Sequence, residues 1–134
     1  MSESMVDFSA DNIMEVFTGL GYNCAPQEGG FLATQKGQWN LLALIAAQYD
    51  ELQLVTYFTS KKGNDRTKLI NAVNEYNRKT TLTTCKVDNE GNVYVSRTLP
   101  CRGGVPRTQL IQLIKEGDSE VNTFGPPILG EFVE

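Results

Sequence analysis

The run Trp39 to Gln48 is apolar on both alternating sets of positions: Trp39, Leu41, Ala43, Ile45 and Ala47 on one, Leu42, Leu44 and Ala46 on the other. A strand of this kind is buried on both faces, by helices or by a second chain. No capping residue precedes it, and the β-rich stretch Leu52 to Thr59 follows across a Tyr49–Asp50–Glu51 turn, so the spacing predicts a strand hairpin and not a helix. The chain has 134 residues, which fits one domain, 1–134, with residues 126–134 as a short C-terminal tail. In so small a domain a doubly apolar strand implies full wrapping or a homodimer seam.

The flanking segments supply the other elements. Ser9 suits an N-cap, Phe8 and Ile13 have the spacing of a hydrophobic staple, and Ile13, Val16, Phe17 and Leu20 form one stripe, which predicts a helix from about Ala10 to Leu20. Tyr22 to Glu28 reads as a weak edge strand interrupted by Pro26, and Phe31 to Lys36 as a short strand between glycine turns. Asn64 or Asp65 caps a second helix, Arg66 to Lys79, with Leu69, Ala72 or Val73, and Tyr76 as its buried stripe. Thr81 to Val87 and Val93 to Leu99 flank Asp88–Asn89–Glu90–Gly91–Asn92, where Gly91 is placed for a left-handed turn position. Pro106 opens a third helix carrying Leu110, Leu113, Ile114 and Val121. Gly117 is a point where it could break, and Gly125–Pro126–Pro127 is expected to end it. Strands joined by hairpins favour an antiparallel sheet, so the class is α+β, in the order α-β-β-β-β-α-β-β-α.

Composition excludes much chemistry. The chain has no His, which removes Ser-His and Cys-His catalysis, His-ligated zinc and an imidazole pH switch within the chain. Its 12 Lys and Arg stand against 16 Asp and Glu, and the basic residues are scattered along the sequence, which argues against nucleic acid. Neither a basic leader nor an apolar run of bilayer length is visible, so the expectation is a cytoplasmic chain with no membrane partner. Cys24, Cys85 and Cys101 lack metal-ligand spacing and read as reduced thiols. No carboxylate pair is marked for acid–base work, and no Gly-x-Ser-x-Gly elbow occurs. Neither a catalytic residue, a cofactor nor a metal is predicted.

Two segments are candidate binding sites. Asn71, Asn74 and Asn77 recur every third residue on the second helix, although Asn is a poor helix former. They are either amides bonding neighbouring loops or a polar recognition face. Arg102–Gly103–Gly104–Val105–Pro106–Arg107 places two Arg and two Gly before a helix N-terminus, which is either an anion site or a turn that aims the chain into the helix. Asp88 to Asn92 starts like a calcium loop but lacks the Glu that would close it.

Ile70-Asn71-Ala72-Val73-Asn74-Glu75-Tyr76-Asn77, Val87-Asp88-Asn89-Glu90-Gly91-Asn92-Val93-Tyr94, Gly103-Gly104-Val105 and Leu20-Gly21-Tyr22 together resemble the YbjN-type domain of bacteria, labelled as sensory transduction regulators. The resemblance implies a fold like that of type III secretion chaperones, an antiparallel sheet with helices around it, frequently dimeric and without enzymatic activity. It also implies that a segment of a client protein is held against the surface. The leading expectation is therefore a non-enzymatic protein-binding module, a chaperone-like or regulatory adaptor that forms a homodimer. The alternative is a small-ligand or anion-sensing domain that uses Asn71, Asn74, Asn77, Arg102 and Arg107.

Overall fold

The computed structural model describes residues 5–46 and 51–133. Its elements are β1 (Met5–Val6), α1 (Ala10–Gly19), β2 (Asn23–Gln27), β3 (Gly30–Thr34), β4 (Leu41–Ala46), β5 (Glu51–Phe58), α2 (Arg66–Lys79), β6 (Thr84–Val87), β7 (Val93–Pro100), β8 (Val105–Pro106) and α3 (Arg107–Leu129). Six strands form one antiparallel sheet in the order β2-β3-β4-β5-β7-β6, and β1 pairs with β8 separately. The class is α+β with three α-helices, as expected, plus two very short strands that sequence patterning does not see. Of the turn expected at Tyr49–Asp50–Glu51, Tyr49 and Asp50 lie outside the described residues, and Glu51 opens β5 instead, paired with Ala46 and Pro100.

The local signals act where the sequence places them. Ser9 caps α1, its Oγ accepting from Asn12 N–H at 3.1 Å, and Asp65 caps α2 by accepting from Thr67 and Lys68 N–H. Gly91 takes φ 85° in the β6–β7 turn, and Asp88 Oδ1 accepts from the Glu90 and Asn92 N–H groups, both at 2.9 Å. Residues 81–83, expected in strand, form a turn instead. The Glu120 carboxylate accepts the N–H groups of Thr81, Leu82 and Thr83 and the Thr83 hydroxyl, which takes those donors out of any ladder.

All three helices pack on the same face of the sheet. Ile13, Val16 and Phe17 of α1 and Leu110 and Ile114 of α3 form one hydrophobic cluster with Phe31, Ala33, Leu41, Ala43 and Leu54. Leu69, Val73 and Tyr76 of α2 form a second with Val121, Leu129, Cys85, Val93 and Val95. Helix α3 thus spans both.

It does so by running through the residues expected to end it. Gly117 does not break it, and Gly125–Pro126–Pro127 lie inside its 23 residues. Both prolines lack an N–H to donate, but the ladder resumes when Gly130 N–H bonds the Pro126 carbonyl. Leu129, Phe132 and Val133 are all buried. The burial of these three side chains and the Gly130–Pro126 bond hold the helical path against the two prolines. Gly125 lies flat on Trp39, where a Cβ would meet ring atom Cζ3 at 2.5 Å. The chain end is tied to the β5–α2 loop, since the Phe132 carbonyl accepts from Lys61 N–H at 2.9 Å and from Asn64 Nδ2 at 2.7 Å.

Gly30 sits where β3 meets β4, and a Cβ there would lie 1.8 Å from the Ala43 carbonyl oxygen. Gly29, one residue earlier, has open space and φ 78°. Gly30→Ala should lose more than about 3 kcal/mol in urea unfolding because backbone must separate. Gly29→Ala should lose about 1–2 kcal/mol, the penalty of a left-handed residue with a side chain. Equal losses would refute this account of the β3–β4 pairing.

Candidate functional site

The strand alternation sends a second set of side chains to the face that no helix covers among the described residues. Leu32 of β3, Leu42 of β4 and Val55 of β5 stand in register across three strands. Leu44 lies two residues along from Leu42 on the same face, and Tyr57 faces Tyr94 across β5 and β7. The inward partners Leu41 and Ala43 are buried, whereas Leu32, Leu42, Leu44, Val55 and Tyr94 are only half-buried and Tyr57 is 52% exposed. The β4 strand expected to be buried on both faces is therefore covered on one. The even spacing of Leu42 and Leu44 marks this surface in the sequence. Leu32, Val55, Tyr57 and Tyr94 join it only once strand register is known.

The predicted binding residues fall in separate places. Asn77 serves the fold: its Nδ2 donates to the Cys85 carbonyl at 3.0 Å and its Oδ1 accepts from Cys85 N–H at 2.8 Å. Asn71 and Asn74 project from α2 into a groove beside the end of α3. Arg102 lies exposed in the loop between β7 and β8, and Arg107 opens α3 near Gly19 of α1. The loop that carries Arg102 is a turn, closed by Gly104 N–H on the Cys101 carbonyl at 3.0 Å. Of the five residues, Asn71 and Asn74 share a surface, Asn77 points from the same helix to the β6 edge, and the two Arg lie apart from all three.

A polar seam crosses the core where α3 passes between the two clusters. Arg97 reaches from β7 under α3 and donates to the Leu113 carbonyl at 3.0 Å, in space left by Gly117. Tyr22 hydroxyl donates to Asp118 at 2.7 Å. Asn122 Nδ2 donates to Asp118 at 3.0 Å, and Asn122 Oδ1 accepts from Trp39 N–H at 2.9 Å. Burial pushes the Asp118 carboxyl above its ordinary range, and the bonds it accepts from Tyr22 and Asn122 pull it part of the way back. Burial, then Asp118, raises the Tyr22 phenol. Burial also pushes the Cys85 thiol up to about 12, so it stays protonated and unreactive at neutral pH. Among the described residues no group of three or more His, Cys, Asp or Glu is placed to hold a metal ion, and no helix is long and apolar enough to cross a membrane.

A family model described as "Putative bacterial sensory transduction regulator", YbjN, matches residues 9–129. The chain belongs to the YbjN family. YbjN of E. coli, described as "a putative transcription regulator", superposes with a TM-score of 0.78 at 10% identity, over 98% of this chain and 99% of that one. A chain from the HopA1–SchA chaperone–effector complex has a TM-score of 0.56 at 10% identity, covering 82% of this chain and 87% of that one. A chain from the Yersinia pestis type III secretion chaperone SycH, in complex with a stable fragment of YscM2, gives 0.55 at 16% identity, over 86% and 98%. At these identities the likeness is one of fold: this YbjN member has the type III secretion chaperone architecture that its sequence suggested. No curated protein matches it.

The raised Asp118 carboxyl binds its proton more tightly in the folded chain than in the unfolded one. The stability it contributes is complete below the ordinary carboxylate range and is lost as pH rises through its raised value. Asp118→Asn removes that loss while keeping an acceptor for Tyr22. The melting temperature of the variant relative to the parent should therefore climb as pH rises through and above the ordinary carboxylate range. A constant or falling difference in calorimetry would contradict the burial of this carboxyl.

Proposed function

We propose that this protein is a non-enzymatic binding module that holds a partner protein against the open face of its sheet, as a chaperone-like or regulatory adaptor, and that it works as a homodimer. The observation that carries the reading is the uncovered row Leu32–Leu42–Val55 with Leu44, Tyr57 and Tyr94 around it. An antiparallel sheet with one face in water normally turns polar residues to that face. Here leucine, valine and tyrosine occupy much of it, beside Gln53, Ser96 and Thr98, and a contiguous apolar patch rimmed by polar residues marks an interaction surface. Tyrosine adds large contact area with few rotors to freeze, which suits it to interfaces.

The structural neighbours support the same reading, since two of them come from a chaperone–effector complex and from a secretion chaperone in complex with a protein fragment. Self-association draws on the same physics, because a two-fold interface places one surface against its own copy.

Light scattering should show a dimer for the parent and a monomer for Val55→Asp, with unchanged far-UV circular dichroism. Tagged parent protein should retain a stoichiometric protein partner from lysate of the source cells, and Tyr57→Asp should lose it at least about tenfold. Retention that ignores both substitutions, or no stoichiometric protein at all, would remove the basis for this function.

A further inference from the structure

We propose that the outer face of α2 is a second docking surface, and that it receives an extended, acidic segment of a partner polypeptide. Lys68, Asn71, Asn74 and Arg78 follow one another at spacings of three and four, so they form one row along the helix. All four are exposed. The row borders a groove whose far wall is Ile128, Glu131 and Phe132 from the end of the chain, so Lys68, Arg78 and Lys79 outnumber the two carboxylates Glu75 and Glu131 around it. Neither Asn71 nor Asn74 bonds its side chain to a described residue, although asparagine weakens a helix wherever its amide is unused.

The same helix shows what such an amide can do. Asn77 takes both backbone groups of Cys85, at 2.8 Å and 3.0 Å, pairing as a strand would with an extended chain. Asn71 and Asn74 offer that donor–acceptor pair to the outside. An extended segment lying along the row would meet amides at its backbone, cations at both ends and apolar side chains in the groove.

Charge selects the segment. Residues 61–86 contain seven Lys or Arg against two acidic residues, Asp65 and Glu75, and the rest of the chain has five against fourteen. Among the described residues the ion pair Lys79–Glu75 leaves Lys68 and Arg78 without a carboxylate. A surface of that sign steers acidic chains toward it and rejects basic ones. The acidic remainder of the molecule opposes a long polyanion such as a nucleic acid, so the occupant is a short acidic stretch of protein.

Fluorescence anisotropy tests this with three labelled probes: a decapeptide of alternating Asp and Val, its Lys–Val counterpart and a ten-nucleotide oligo-dT. At about 50 mM salt the acidic peptide should bind at least about tenfold more tightly than either other probe. Lys68→Glu with Arg78→Glu should weaken it by about tenfold or more. Asn71→Ala with Asn74→Ala should weaken it about threefold or more while the melting temperature holds or rises, because alanine favours the helix. Tyr57→Asp should leave peptide affinity unchanged, which separates this surface from the sheet face. Equal binding of the two peptides, oligo-dT binding as tight as the acidic peptide, or indifference to the α2 substitutions would each overturn the proposal.

Discussion

The close approach of α3 to the sheet decides what the rest of the molecule can be. A helix of 23 residues is about 34 Å long, enough to lie across both hydrophobic clusters, but only if nothing props it up. Gly125 allows it to rest on Trp39, and Gly117 leaves room for Arg97 beneath it. With α3 seated, α1 packs beside its first half and α2 beside its second, and one face of the sheet is closed. Among the described residues the opposite face has no helix left to cover it. The same packing that completes the core therefore leaves the leucine row bare.

Polar groups set the position of α3 on that surface. Hydrophobic packing alone tolerates sliding by a turn, whereas hydrogen bonds between fixed partners do not. Arg97 meets the Leu113 carbonyl, Tyr22 meets Asp118, Asn122 bridges Asp118 to Trp39, and Glu120 gathers the N–H groups of residues 81–83. No buried side-chain polar atom among the described residues is left without a partner. A satisfied network of this kind selects one packing over its neighbours because every displaced arrangement would leave polar atoms unpaired.

Much of this was legible from local signals. Ser9 and Asp65 announce two helices, and the 3–4 spacing of Ile13, Val16, Phe17 and of Leu69, Val73, Tyr76 names their buried sides. The end of α3 was not legible, because the rule for proline concerns local backbone and the anchor is tertiary: Leu129 and Phe132 buried against residues far away in sequence. The turn at 81–83 was hidden for the same reason, its carboxylate partner lying 37 residues further on at Glu120. The binding face was half legible. Leu42 and Leu44 stand out by alternation, but Leu32 and Val55 become their neighbours only through register, which no single segment encodes. The three asparagines looked equivalent in sequence, and one turn of helix was enough to give Asn77 an internal task and leave Asn71 and Asn74 facing water.

The amide bond between Asn77 and β6 reaches beyond its own residues. It occupies the backbone groups that Cys85 turns away from β7, so this border of the sheet is stoppered from inside the molecule. The opposite border is β2, where Pro26 has no N–H to give to an added strand. Both ends of the sheet thus discourage the addition of a further strand, which guards the molecule against open-ended growth into a filament.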